Sequence, residues 1–195
     1  LLWVREIDEG SCCVYVVEAA SAGADGAFGP VETLRSARAD QPDDIRVGLD
    51  DAGTTIALWS TSIDSGAAFE TVAVVRPPGG SFAPLALPTP ASTSIDDLAV
   101  LPSGDAVFVW RDATSPDAAL RPILVSVRPR NGAFSAGQPL AAAGEAIGQV
   151  SIAMDHLDNA AIVWPLGSPG SVRVAGVEPP PRLTNVSIPL AAEVG

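Results

Sequence analysis

A fifteen-residue block ending in tryptophan recurs three times in this chain without a gap, and that recurrence limits the fold more than any other feature. The copies are IRVGLDDAGTTIALW (Ile45 to Trp59), DDLAVLPSGDAVFVW (Asp96 to Trp110) and VSIAMDHLDNAAIVW (Val150 to Trp164), and Leu1-Leu2-Trp3 is a stub of a fourth. Trp3, Trp59, Trp110 and Trp164 are spaced about 50 residues apart, the self-similarity of arrays, solenoids and propellers. Within the block Val47 and Leu49 alternate with Arg46 and Gly48, and Leu98/Val100 and Ile152/Met154 repeat the pattern. Period two with one apolar face is the half-buried antiparallel strand. The segments ending in tryptophan are apolar throughout, as expected of a strand covered on both faces by neighbouring sheets.

Four short strands are expected per repeat. In the first full unit these run Phe28 to Leu34, Ile45 to Leu49, Thr54 to Thr61 and Phe69 to Arg76, separated by Gly, Pro, Asp and Ser clusters. The fourth strands end alike, in Val75-Arg76-Pro77, Val127-Arg128-Pro129 and Val177-Glu178-Pro179, where proline ends a ladder. The expected organisation is an all-β, β-propeller-type chain of four-stranded antiparallel blades, about 52 residues per repeat. It divides into a half blade at 1–25, blades at 26–79, 80–131 and 132–181, and the start of a next blade at 182–195. Fifteen strands is one short of four blades, so a partial propeller is expected, completed by the rest of a longer chain or by self-association. A closed four-blade ring is the alternative.

Composition excludes several roles. The net charge is −12 and every basic residue is arginine, so phosphate backbones and anionic membrane faces are repelled and neither nucleic acid nor membrane is an expected partner. No apolar run reaches the length of a membrane span. The adjacent Cys12 and Cys13 point to opposite faces of a strand. They read as small buried residues, with a vicinal disulfide or two free thiols as alternatives.

Ser62-Ile63-Asp64-Ser65-Gly66-Ala67-Ala68-Phe69 fits Ser-x-Asp-x-Gly-x-x-aromatic, and Asp8-Glu9-Gly10 is a partial copy after Trp3. This resembles the Asp-box of the bacterial neuraminidase repeat in sialidase-like propellers. Later units depart: Ser115-Pro116-Asp117-Ala118 lacks the glycine, and Ser168-Pro169-Gly170 lacks the aspartate. Physically the box is a turn device, with Asp accepting from turn amides and Gly supplying positive φ. Trp3, Trp59, Trp110, Trp164, Asp8, Gly10, Ser62, Asp64, Gly66 and Phe69 are therefore expected as a structural repeat signature.

The resemblance implies that an enzyme of this type would hold an arginine cluster, a tyrosine nucleophile with a carboxylate base, and an acid. Tyr15, the only tyrosine, lies on a predicted outer strand, three positions from Glu18 and so on the opposite face. Arg76 and Arg128 are expected as solvated rim residues, and neither an arginine cluster nor a carboxylate pair can be assembled from the sequence. The loops Asp50 to Gly53 and Asp155 to Asp158 read as turns rather than calcium sites. His156 has no nucleophile at recognisable spacing. No catalytic residue, cofactor or metal site is nominated. Asn185-Val186-Ser187 matches the glycosylation acceptor pattern. The expected function is a non-catalytic binding or interaction module of a larger secreted or surface protein, with a protein or glycan ligand. The alternative is part of a sialidase-like glycoside hydrolase.

Overall fold

The computed structural model describes residues 1–8, 10, 13–23, 25–38, 41–63, 68–90, 92–114, 117, 121–141, 148–166, 172–178 and 182–186. Among them are fifteen strands and no helix. Strands β1 (Leu2–Asp8), β2 (Cys13–Ala19) and β3 (Glu32–Arg38) form sheet 1. Sheet 2 holds β4 (Pro42–Leu49), β5 (Thr55–Ile63), β6 (Ala68–Arg76) and β7 (Ala83–Pro84). Sheet 3 holds β8 (Thr93–Val100), β9 (Ala106–Asp112), β10 (Ile123–Arg128) and β11 (Gln138–Ala141). Sheet 4 holds β12 (Ser151–Met154), β13 (Ala160–Pro165), β14 (Val172–Glu178) and β15 (Arg182–Val186). Each sheet is an antiparallel meander in chain order, and β1, β4, β8 and β12 touch in succession. The protein is an all-β repeat of propeller-type blades.

The strand total matches the sequence expectation, but the grouping differs by one strand. The segment after each Val-x-Pro signature was expected to open a new unit; instead it closes the old one. β3 pairs with β2, β7 with β6, β11 with β10 and β15 with β14. The reason is local. Gly80 N–H donates to the Pro77 carbonyl at 3.0 Å and Gly132 N–H to the Pro129 carbonyl at 2.8 Å, so these Pro/Gly clusters are tight turns inside a meander rather than joints between sheets. Trp3 on β1 is then the counterpart of Trp59 on β5, Trp110 on β9 and Trp164 on β13. Among the described residues, sheet 1 holds three strands, counterparts of the second, third and fourth strands of the other sheets.

Alternation along the second strands fixes the core. On β5, Ile56 and Leu58 face sheet 3, where they cluster with Leu98, Val100, Phe108 and Trp110. Ala57 and Trp59 face sheet 1 and cluster with Val17, Leu2 and Val4. Both sets are fully buried. Val107 and Val109 of β9 likewise meet Ile162 and Trp164 of β13 in a third cluster. Each tryptophan of sheets 2 to 4 therefore plugs the gap to the sheet before it, and the residues on either side of it plug the gap to the sheet after, except in the last sheet described.

Candidate functional site

The first strands of sheets 2 and 3 are each interrupted near their start. The β4–β5 register shifts between Asp43 and Arg46, and the β8–β9 register between Ile95 and Asp97. Asp44 sits in the left-handed region at φ 48°, a conformation that costs most L-residues but that Asp and Asn tolerate better than others. Bulges re-aim side chains. Here they turn Asp44 and Asp96 towards one cleft of about 380 Å³, whose walls also carry Arg46, Ser94, Arg111 and Arg121 and whose rim is Gly148-Gln149.

The charged groups in this cleft tie three sheets together. Arg111 Nε donates to both oxygens of the buried Asp96 carboxylate, at 2.9 and 3.2 Å, and its Nη2 reaches the Gly148 carbonyl of the segment leading into β12. Arg46 Nη2 donates to the Asp96 carbonyl at 2.7 Å, and its Nε lies 3.5 Å from Asp97 Oδ1. Asp97 Oδ2 accepts from the Ile152 amide of β12 at 2.8 Å. Burial pushes the Asp96 carboxyl above its usual range, against the pull of Arg111 and of the Val150 amide. Asp44 is exposed by area, yet the cleft walls displace enough water to raise its carboxyl too, with Arg46 and the Ser60 hydroxyl opposing the shift and Asp43 adding to it.

The Asp44 shift has a testable sign. A raised native pKa means that the folded state binds the proton more readily, so stability contributed by the neutral form is lost as pH rises from the ordinary value of 3.8 through the native one. Asp44→Asn keeps a side chain suited to positive φ and removes the charge. It is expected to raise the urea midpoint at pH 7 and to have no effect below about pH 4. An equal gain at both pH values would assign the effect to the backbone instead.

Three sequence expectations are corrected at this point. Arginines do cluster, since Arg46, Arg111 and Arg121 line one cleft, and Asp44 and Asp96 face the same space. The doubled aspartates Asp43-Asp44 and Asp96-Asp97, at the start of successive repeats, were the available signal. Their convergence depends on bulges, which hydrophobic periodicity does not reveal. Arg76 and Arg128 are not solvated rim residues. Arg128 is buried with an unpartnered Nε, and burial pulls its guanidinium below the usual value. Arg76 pairs with Glu32 at 3.2 Å, reaches the Ser21 hydroxyl and lies 5.1 Å from the Phe82 ring centroid. Tyr15 lies on β2, the middle strand of sheet 1 rather than an outer one. Glu18, on the opposite face, is held by Trp3 Nε1 at 2.9 Å and by Arg5, which lowers its carboxyl.

The signature residues are placed as follows. Trp59, Trp110 and Trp164 are buried, and Trp3 is partly exposed. Asp8 Oδ1 accepts from the Gly10 amide at 2.7 Å, with Gly10 at φ 85°. Asp64 and Gly66 lie outside the described residues; Ser62 pairs with Phe69 across β5 and β6. The loop aspartates are engaged by their own turns: Asp50 Oδ1 accepts from the Thr54 amide, and Asp155 Oδ1 from the amides of Leu157 and Asn159. Cys13 is partly exposed rather than buried, and its Sγ–H donates to Glu6 Oε1 at 2.8 Å, which raises the thiol pKa. Cys12 lies outside the described residues.

A second cavity, of about 470 Å³, opens between sheets 1 and 2. Apolar side chains dominate it, with Leu2, Phe28, Val47, Leu49 and Phe82 around Arg76.

No family model matches the chain, and no curated protein matches it. Among solved structures it is similar to an endo-arabinase from Bacteroides thetaiotaomicron, at 11% identity and a TM-score of 0.44, over 98% of this chain and 80% of that one.

Proposed function

We propose that the chain is a non-catalytic binding module of a secreted or surface protein, and that the cleft of Asp44, Arg46, Ser94, Asp96, Arg111 and Arg121 seats a neutral, hydroxyl-rich glycan. One observation carries the reading: Asp96, Asp97, Arg46 and Arg111 are engaged with one another and with backbone groups of the adjoining sheets. Charges engaged in this way stay fixed when a ligand enters. They present oriented donors and acceptors without demanding a counter-ion, the arrangement that a polyol exploits through many directional hydrogen bonds. A cleft of about 380 Å³ is of small-ligand size. Ser94 and Gln149 add uncharged hydrogen-bonding groups at its wall and rim.

The test is titration with neutral oligosaccharides followed by amide chemical shifts. Perturbations confined to Ser94, Asp96 and Gln149, and weakened by Gln149→Ala, are expected. Absence of binding across a panel of neutral glycans overturns the proposal. A second reading, a glycoside hydrolase, is favoured by the raised carboxyls of Asp44 and Asp96 in one cleft. Glycoside hydrolysis that disappears in Asp44→Asn would replace the first reading with this one.

A further inference from the structure

We infer that Arg128 anchors a second binding site, whose ligand is a carboxylate from outside the described residues of this chain. The state of the side chain is the first observation. Arg128 ends β10 and is 5% exposed, and its Nε has no partner. Among the described residues no hydrogen bond or ion pair reaches its guanidinium. A buried cation without a counter-ion is strongly destabilising, and burial pulls this guanidinium below its usual value. Asp105 opposes that shift only through its field, since its Oδ1 accepts from the Arg130 amide at 2.7 Å instead.

The repeat shows what is missing. Arg76 pairs with Thr55 and Arg128 with Ala106, each four residues before its tryptophan, so the two arginines are equivalent. Each faces the preceding sheet. Arg76 finds Glu32 and Ser21 there, the Glu32 carboxylate at 3.2 Å. Glu32 pairs with Ala19, which lies opposite Leu2. In sheet 2 the matching position is Leu85, whose amide donates to the carbonyl of Ala73, opposite Leu58. Val75, two residues after Ala73, likewise stands where Ser21 stands after Ala19. Both are apolar and pack against the cluster that holds Ala106, so the arginine is kept while its acceptors are replaced. The vacant role is that of a carboxylate. Nε is sealed from solvent, so a ligand meets the terminal nitrogens, whose parallel donors match the two oxygens of a carboxylate. The field of Asp105 opposes a second negative charge, which favours a monocarboxylate over a phosphate dianion.

The probe is sodium formate, titrated into the intact chain against sodium chloride at equal ionic strength. The readout is the Arg128 Nε–H resonance, assigned by its loss in Arg128→Met. A saturable shift in the millimolar range is expected with formate and none with chloride. The urea midpoint should rise with formate in the wild type and stay constant in Arg128→Met, because a ligand stabilises only the fold that binds it. Leu85→Glu restores the missing acceptor from within and should abolish the formate response, with its fold checked by circular dichroism. Capped peptides separate the sources of the carboxylate: tighter binding of a glutamate peptide than of formate identifies a polypeptide side chain, and binding of formate alone identifies a small free acid. No saturable shift with formate, an equal shift with chloride, tighter binding of phosphate than of formate, or an unchanged formate response in folded Leu85→Glu would each overturn the inference. None of these bears on the glycan cleft, because Arg111 pairs with Ile123 at the opposite end of β10 from Arg128.

Discussion

Trp59→Ala is expected to lower the free energy of unfolding by about 3 to 5 kcal/mol, the range for emptying a fully buried aromatic site. Trp59 is 0% exposed and sits between sheets 1 and 2 against Val17, Ala57, Val74 and the partly buried Leu2 and Val4. Its Nε1 has no hydrogen-bond partner, so the loss is one of packing alone. That gives a sharper comparison with Trp110, whose Nε1 donates to the buried Ser126 hydroxyl at 3.2 Å. Trp59→Phe should cost less than Trp110→Phe, because only the latter leaves a buried hydroxyl without its donor. Urea unfolding of the variants checks both statements. A Trp59→Ala loss within about 1 kcal/mol of zero would mean that the site collapses around the vacancy or is not a core site at all.

Arg111→Ala has an effect of similar size for a different reason. The substitution strands the Asp96 carboxylate, which is 8% exposed and whose two oxygens both accept from Arg111 Nε. Breaking one half of a buried pair costs about 3 to 5 kcal/mol, most of it the desolvation of the charge left behind. The pH dependence separates this from lost packing. Asp96 already titrates above its usual range through burial. Without Arg111 it titrates higher still, so the folded variant takes up a proton as pH falls and the penalty shrinks from pH 7 towards about pH 4. Urea midpoints of wild type and variant at both pH values decide it; a penalty independent of pH would assign the loss to the Arg111 stem. The double substitution Arg111→Met with Asp96→Leu should recover much of the stability, since an apolar pair of similar volume escapes the desolvation cost.

The strands, their alternation and the stacking of tryptophans are legible from the chain because burial writes itself as a period of two, and because three copies of one block repeat the message. Pairing partners were less legible. Pro77 to Gly80 and Pro129 to Gly132 look like joints between units in sequence, yet a turn inside a sheet and a connection between sheets use the same residues. The cleft was the least legible part. Arg46 sits fifty residues from Asp96, and they meet only because β4 and β8 stack side by side. Arg76 and Arg128 look alike and superficial in sequence, and only the packing of the next sheet reveals that they are enclosed.

The polar clasps that run from Arg46 through Asp97 to the Ile152 amide set the order in which the molecule comes apart. Sheets 2, 3 and 4 share contiguous apolar clusters and are clasped at their first strands, so they should open as one cooperative unit. Sheet 1 meets sheet 2 across a cavity and is held by the Trp59 cluster and by the pairs Arg35–Glu70 and Arg76–Glu32. In a stacked array stability is the sum of unit and neighbour terms, and the unit with the poorest neighbour term frays first. Native-state exchange should therefore find two free-energy levels, with the amides of β1 to β3 exchanging through a partial opening that leaves β8 to β10 fully protected.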